Sequence, residues 1–293
     1  MDSRNETSLR NYGFLNETYF SKLYDAFILA FSDYVIPFVL TEAQFRNHNV
    51  LNAVDLDSTI GCIEGDRLIG FSLNGFGKWN EKSTVYDAGT GVIPEFRRQG
   101  ISGKMFDLML PIFKEREIEQ FLLEVVTNNN PAVDLYEKLG FHKTRELALL
   151  QCEGKVKSLG PKRADFEIRP LQDLDWNLFR TFWDGGPSWQ NSVEAISRSR
   201  RAKKALGAFV DGKCAGYIIF SANFGRVAQL AVDKAYRHLG IATALLESMQ
   251  AETVNNNPSQ VINIDKSLTD SMDFFRRLGF KEIVSQFEMI KAL

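Results

Sequence analysis

VIPEFRRQGISGK, residues Val92–Lys104, decides how this 293-residue chain is read. Val92 and Ile93 close a strand, and Pro94, which has no N–H to donate, ends its ladder. Arg97, Arg98, Gln99 and Gly100 form a tight basic loop. From Ile101 to Phe113 the apolar residues Ile101, Met105, Leu108, Met109 and Ile112 recur at helical spacing. A loop feeding a helix N-terminus aims unpaired N–H groups and a partial positive charge one way, which suits an anion, and phosphate above all. Gly100 and Gly103 lack Cβ, so the backbone can close on such a group. Arg97 and Arg98 add charge.

A strand-to-helix turn of this kind gains meaning from its repetition. Val232–Leu245 reads VDKAYRHLGIATAL, with Val232, Tyr236, Arg237, Gly240, Ile241 and Ala242 falling where Val92, Phe96, Arg97, Gly100, Ile101 and Ser102 fall. A second pair of blocks follows: LYEKLGF ends at Phe141 and FFRRLGF at Phe280. The loop glycines are 140 residues apart and the later glycines, Gly140 and Gly279, are 139 apart. Two ordered blocks at nearly one offset mean an internal duplication, with a period too long for a solenoid. Each copy is expected to be a domain.

The pattern V-x-P-x-[FY]-R-x-x-G-[IL]-[SGA], followed about forty residues later by N-x-x-A-x-x-L-Y-x-x-x-G-F, resembles the GNAT superfamily of N-acetyltransferases. The first half carries it through Val92, Pro94, Phe96, Arg97, Gly100, Ile101, Ser102, Asn129, Ala132, Leu135, Tyr136, Gly140 and Phe141, and the second half in part. The resemblance implies an α/β (α+β) chain of two tandem domains. Each has a mixed, mostly antiparallel sheet flanked by helices. The expected bounds are 1–154, a linker at 155–163 and 164–293, the second domain partly degenerate. It also implies acetyl-CoA as cofactor. The corresponding contacts in the first copy are Val92, Ile93, Arg97, Arg98, Gln99, Gly100, Ile101, Ser102, Gly103, Lys104 and Asn129. In the second they are Val232, Arg237, Leu239, Gly240, Ile241 and Ala242.

Composition fits a soluble enzyme of two ordinary domains. Lys+Arg number 35 against Asp+Glu 37, so a net charge of −2 exerts no general pull on nucleic acid. The basic run Ser197–Lys204 has no interleaved aromatics and reads as a solvated helix face. No apolar run reaches 18 residues, and MDSRNETSLR carries no signal-like stretch. The scattered Cys62, Cys152 and Cys214 suit a reducing cytoplasm, and no metal site is expected from them or from the isolated His48, His142 and His238. The expected partner is a small-molecule amine or a peptide, with no nucleic acid and no membrane. A monomer or homodimer is expected.

In chain order, Asn16–Phe31 reads as a helix with Phe20, Leu23, Tyr24, Phe27, Ile28 and Phe31 on one face. Thr41-Glu42-Ala43-Gln44 is a capping-box signature that opens a second. In the resembling fold these helices and their connector roof the acceptor site, which makes Asp33 and Tyr34 substrate candidates; helix termination and core packing are the favoured explanation of both. Strands are expected at Ser58–Glu64, Arg67–Asn74, Thr84–Val92 and Gln120–Val126, then a helix from Pro131 capped by Asn130. Gly89 and Gly91 mark a bulge or a close backbone approach in the third strand. In the family this strand and the next splay apart to admit the pantetheine arm, and free backbone groups at Val92 would meet it. In the second copy, helices at Leu174–Trp183 and Ser192–Lys204 precede the strands, with Asp211-Gly212 as a turn.

Acetyl transfer to an amine needs a base for the amine proton and an acid for the departing thiolate. Tyrosine, with a pKa of about 10, stays protonated at neutral pH and can be that acid. Tyr136 stands where the resembling enzymes place one. Phe275 fills the slot in the second copy, so packing alone needs only a ring. Asp87 is the candidate base; the matching strand of the second copy, Phe224–Val232, has no carboxylate, and Leu268 replaces Asn129. The expectation is a catalytic first domain. A non-catalytic acyl-CoA sensor, and a transferase using another acyl donor or a non-amine acceptor, stay open as alternatives.

Overall fold

The computed structural model describes residues 10–33, 40–157, 159–160, 165–199, 202–254 and 257–293. Tyr34 and parts of the 155–163 segment lie outside them. The chain forms two compact units: Met1–Glu124 with Asn129–His142 and Met289–Leu293, and Val125–Asn128 with Lys143–Glu288.

The first unit holds β1 (Arg10–Phe14), α1 (Phe20–Ala30), α2 (Glu42–Leu51), β2 (Ile60–Glu64), β3 (Arg67–Trp79), β4 (Lys82–Val92), α3 (Ile101–Glu115), β5 (Gln120–Val126, to Glu124) and α4 (Asn130–Lys138). Strand order is β1-β2-β3-β4-β5, antiparallel until the parallel β4–β5 step. Asn16 caps a short 3-10 turn before α1 by accepting from the Thr18 N–H. The Thr41–Gln44 capping box at the start of α2 is present in both directions. The cap of α4 sits at Asn129 rather than Asn130, with Pro131 in the first turn, where no N–H is needed. α1 buries Phe20, Leu23, Ala26, Phe27 and Ala30. Phe27 meets Phe31, Phe45 and Phe71 at ring-centre distances of 4.7, 4.7 and 5.8 Å.

The two faces of this sheet are told apart by what its glycines approach. A Cβ at Gly91 would lie 2.8 Å from Ala30 of α1, and one at Gly89 3.3 Å from Phe27. A Cβ at Gly70 would lie 2.8 Å from Ile101, so α3 covers the other face. Asn74, whose Nδ2 contacts Met109 Sδ of α3, shares that second face.

The second unit holds β6 (His142–Cys152, from Lys143), β7 (Glu167–Pro170), α5 (Trp176–Thr181), α6 (Val193–Arg198), β8 (Lys204–Val210), β9 (Lys213–Ser221), β10 (Arg226–Val232), α7 (Ile241–Glu252), β11 (Ser259–Asp265), α8 (Thr269–Arg277) and β12 (Lys281–Ala292, to Glu288). Its order is β12-β6-β11-β10-β9-β8-β7. The strand that closes the first half of the sequence, β6, therefore pairs with β11 of this unit. Both leading helices are shorter than their sequence suggested. α5 is capped by Asp175 and ends at Thr181, and α6 ends at Arg198 because apolar spacing stops at Ile196.

Candidate active site

β4 and β5 pair only from Thr84↔Gln120 to Tyr86↔Leu122, although β4 runs on to Val92. The strands part at this point and leave a cleft. Against β3, Leu73 faces Gly89 and Asn74 faces Asp87, so Ala88 is an extra, bulged residue. His48 of α2 holds the bulge through a 2.8 Å contact from its Nε2 to the Ala88 carbonyl. The bulge resets the alternation. Gly89 faces α1, while Asp87 joins Asn74 on the α3–α4 face.

There Asp87 meets the tyrosine. The Tyr136 hydroxyl, on buried α4 residue Tyr136, donates to Asp87 Oδ2 at 3.3 Å. The same oxygen accepts from Thr90 Oγ1 at 2.7 Å, and Oδ1 accepts from the Gly89 N–H at 2.9 Å. Burial pushes the Asp87 carboxyl up to about 6, against the opposing pull of these three donors. The two residues proposed from the sequence as acid and base thus touch each other.

A second carboxylate escaped the sequence reading. Glu124 of β5 accepts from the Tyr86 hydroxyl at 2.9 Å. Tyr86 pairs across β3 with Gly75, whose Cβ position lies against the Asn52 carbonyl after α2. Glu124 therefore belongs to the α1–α2 face, opposite Asp87. The signal was present in the sequence as the single acid in QFLLEVV.

At the loop, Arg98 and Gly100 adopt left-handed φ of 61° and 74°, and Gly100 occupies the N-cap position of α3. Nothing lies within 4 Å of a Cβ placed on Gly100, and only Leu135, at 3.9 Å, is near one on Gly103. The helix start is thus open for close approach from outside. Gln99 is tied to Arg10, Lys104 Nζ lies 4.7 Å from the Tyr12 ring centre, and Ser102 is half-buried in the first turn. Ile93 is buried and donates its N–H to Ile69 O; Ile101 is buried too.

Arg97 does not serve the loop as expected. Its guanidinium turns back to Asp33 (2.6 and 2.7 Å), the Ala30 carbonyl (2.9 Å) and the Val92 carbonyl (3.2 Å). It therefore ties the C-terminus of α1, where a cation is favoured, to the loop. The pairing holds the Asp33 carboxyl below its usual range and gives Asp33 a structural partner rather than a free face toward an acceptor. One lone pair of the Val92 carbonyl is likewise engaged. Asn129, at the α4 cap, makes no side-chain cap bond.

The second unit repeats the scaffold closely. Arg237 binds the Val232 carbonyl at 3.2 Å, the Phe182 carbonyl at 3.0 Å and Asp184 at 2.9 Å. His238 and Gly240 are left-handed in turn, Gly240 at the α7 cap. Leu239 and Ala242 are half-buried, and Ile241 is buried. The bulge recurs at Ala228, between Val227 and Gln229, and β10 pairs with β11 only at Arg226 and Val227. The chemistry does not recur. Val227 stands for Asp87, Phe275 for Tyr136 and Leu268 for Asn129, and Gln229 replaces Gly89. The Gln229 side chain is buried; its Oε1 accepts from Tyr217, and its Nε2 donates to the Asn191 carbonyl at 2.6 Å. Tyr217 also accepts from Trp183 Nε1 at 2.7 Å. A cavity of about 140 Å³ remains beside this network, between β10, β11 and α8.

Among the described residues there is no group of three His, Cys, Asp or Glu side chains placed to hold a metal ion, and no helix is long and apolar enough to cross a membrane.

Residues 20–141 match the Acetyltransferase (GNAT) family and residues 186–290 the Acetyltransferase (GNAT) domain, together more than three quarters of the chain. An N-alpha-acetyltransferase of Sulfurisphaera tokodaii is 36% identical over 92 residues, covering 26% of this chain and 55% of that protein. The [Ribosomal protein bS18]-alanine N-acetyltransferase of Escherichia coli is 29% identical over 94 residues, covering 30% and 64%. The chain thus spans less than two thirds of either relative. In fold it is similar to a tandem GNAT protein from the clavulanic acid biosynthesis pathway, with a TM-score of 0.74 at 13% identity over 97% of this chain and 98% of that one.

Proposed function

Because this chain belongs to the GNAT acetyltransferase family, with one domain of it in each half, we propose that it transfers the acetyl group of acetyl-CoA to an amine of a small molecule or peptide. The first unit carries out the chemistry. The observation that carries this reading is the Tyr136–Asp87 contact in the cleft between β4 and β5, together with its replacement by Phe275 and Val227 in the second copy. The acceptor class favoured is a peptide α-amino group, because named relatives act on such groups.

The residues present fit the cofactor: the open faces of Gly100 and Gly103 leave room for a phosphate against the α3 N-terminus. Arg98, Gln99, Gly100, Ile101, Ser102, Gly103 and Lys104 would hold the phosphates. Backbone at Val92 would face the pantetheine arm, with Asn129 at the mouth of α4; the Ile93 backbone, expected there from the sequence, is instead engaged by Ile69 and Phe96. When bound, acetyl-CoA supplies an activated acetyl thioester. Tyr136 keeps a proton on its hydroxyl at neutral pH and releases it to the departing sulfur. Asp87, on the same face, aims that hydroxyl. Glu124, on the acceptor face, takes the proton of the attacking amine, directly or through water. Asp87 thus passes from candidate base to the residue that holds the acid.

In the second unit, Val232, Arg237, Leu239, Gly240, Ile241 and Ala242 keep the binding loop without an acid. That unit binds without turnover or supports the first.

The test is free-thiol release from acetyl-CoA across amines, amino acids, polyamines and peptides of varied first residue. Tyr136→Phe and Glu124→Gln should each cut turnover by about 10² to 10⁴ while acetyl-CoA affinity stays within twofold. Unchanged turnover in Tyr136→Phe would refute the acid. Thiol release lost in Asp87→Asn but kept in Glu124→Gln would return the base to Asp87. No release with any acceptor, from protein that binds acetyl-CoA, would refute acetyl transfer to these amines.

A further inference from the structure

We propose that Thr90, backed by Ser72, is a positioning residue for the acid: it locks the Asp87 carboxylate in the orientation that holds Tyr136. The inference rests on the reading of Tyr136 and Asp87 given above. Thr90 Oγ1 lies 2.7 Å from Asp87 Oδ2, the oxygen that also accepts from Tyr136, and 2.9 Å from Ser72 Oγ. An ionised carboxylate has no proton to give, so the Thr90 hydroxyl must donate to Asp87. Its lone pair is then left for the Ser72 hydroxyl. Thr90 thus donates to Asp87 with Ser72 Oγ at its back, and Tyr136 donates to Asp87 from the other side. Ser72 is wholly buried and faces Thr90 directly across the β3–β4 ladder. The Ser72 hydroxyl therefore has only protein partners, Thr90 Oγ1 and, at 3.4 Å, Asn74 Oδ1.

The second copy supplies a control. At the matching pair of positions, Ile218 faces Leu230 across β9 and β10. Thus Ser72, Thr90, Asp87 and Tyr136 are all apolar there, as Ile218, Leu230, Val227 and Phe275, while the bulge, the Arg237 anchor and the left-handed loop residues persist. If the two hydroxyls served only to satisfy the fold of a bulged strand, the second bulge would need them as well. They are missing together with the carboxylate and the phenol.

The groups around Asp87 leave this string as its specific control. α4 contributes the titratable Tyr136, and α2 brings His48 to the neighbouring Ala88 carbonyl. β5 carries Glu124 on the opposite face, β3 offers the uncharged Ser72 and Asn74, and α1 places Phe27 against Gly89. Among the described contacts no cation reaches Asp87.

The experiment is the pH profile of kcat/KM for the wild type, Thr90→Val, Thr90→Ser, Ser72→Ala and Asp87→Asn, with acetyl-CoA Kd measured in parallel. The wild type should lose activity on the acid side near pH 6. Removing the Thr90 donor should move that limb up by about one pH unit. Rates would then fall about fivefold at pH 6 and about twofold at pH 7, with Kd unchanged. Thr90→Ser should keep the wild-type limb, and Ser72→Ala should move it by less. A Thr90→Val limb at the wild-type position, or equal losses in Thr90→Val and Thr90→Ser, would overturn the proposal. A limb that persists in Asp87→Asn would instead overturn the underlying role of Asp87, so the two failures are distinguishable.

Discussion

Asp87→Asn should make this protein more stable and less active. Burial raises the Asp87 carboxyl from 3.8 to about 6. The folded state therefore holds this proton more tightly than the unfolded chain does. The stability tied to the group is fully present below about pH 3.8 and is lost as pH rises through about 6. At about 1.36 kcal/mol per pH unit, the loss at neutral pH is about 3 kcal/mol. Asparagine has the same shape and no charge. Its Oδ1 can still accept from the Gly89 N–H, and its amide can donate to the Thr90 and Tyr136 oxygens after their hydroxyls turn. The variant should thus exceed the wild type by about 3 kcal/mol at pH 7 and by almost nothing at pH 4. Amide exchange of peptides from β4 and α4, read across that range, reports the first unit separately from the second. A stability difference that does not change with pH would refute the burial argument. A variant that is less stable at pH 7 would show that the three hydrogen bonds outweigh desolvation.

Other consequences can be checked with single changes. Gly103→Ala places a methyl only 3.9 Å from Leu135 inside α3, so it should stabilise the free protein by about 0.5–1 kcal/mol while weakening acetyl-CoA binding at least tenfold; unaltered affinity would mean that no phosphate sits there. Arg97→Ala should lower the melting temperature by a few degrees, through the lost tie between α1 and the loop, whereas Arg98→Ala should leave melting unchanged and reduce affinity; the reverse pattern would exchange their roles. In the second unit, Val227→Asp buries a carboxylate without donors and should be strongly destabilising. Adding Leu230→Thr and Phe275→Tyr should recover part of that loss in a urea melt, and a triple variant no better than the single one would argue against the donor string.

Much of the first unit was legible because its signals are local. The Thr41–Gln44 box, the loop-to-α3 start and the strand β5 depend on neighbours within a few residues. Gly89 and Gly91 marked an irregular strand, and the irregularity is a bulge at Ala88. The meaning of that bulge was not legible. It decides which face Asp87 occupies, and a one-residue slip moves every later side chain across the sheet. Glu124 was passed over for the same reason: its place beside the cleft depends on where β4 and β5 part, not on its own surroundings in the sequence. Arg97 looked like phosphate charge because it sits in a basic loop. Its partners, Ala30 and Asp33, are more than sixty residues away, and only the docking of α1 brings them near. The placement of β6 in the second unit is equally a long-range fact.

The duplication separates scaffold from chemistry more sharply than either copy could alone. Arg97 and Arg237 make the same set of contacts, to two carbonyls and one aspartate, at matching places. The left-handed pairs Arg98/Gly100 and His238/Gly240 recur, as do the bulges at Ala88 and Ala228. These are the features a splayed sheet and an open helix start require. Against that constant background, four polar residues on one face of the first copy become four apolar residues in the second. The direction of the difference agrees with the energetics. A buried carboxylate, ionised at neutral pH against the cost of burial, works against stability, and a fold with no need of it has no reason to keep it. On the α1 face, where Phe27 and Phe31 pack over Gly89 in the first copy, the second copy places the hydrogen-bonded set Gln229, Tyr217 and Trp183. The second copy therefore lacks the carboxylate and phenol on one face and carries a hydrogen-bonded polar network on the other. Loss of one residue could be incidental, but four coordinated changes on one face, beside an unchanged loop anchor and bulge, are the pattern expected if the proposed chemistry belongs to the first copy alone.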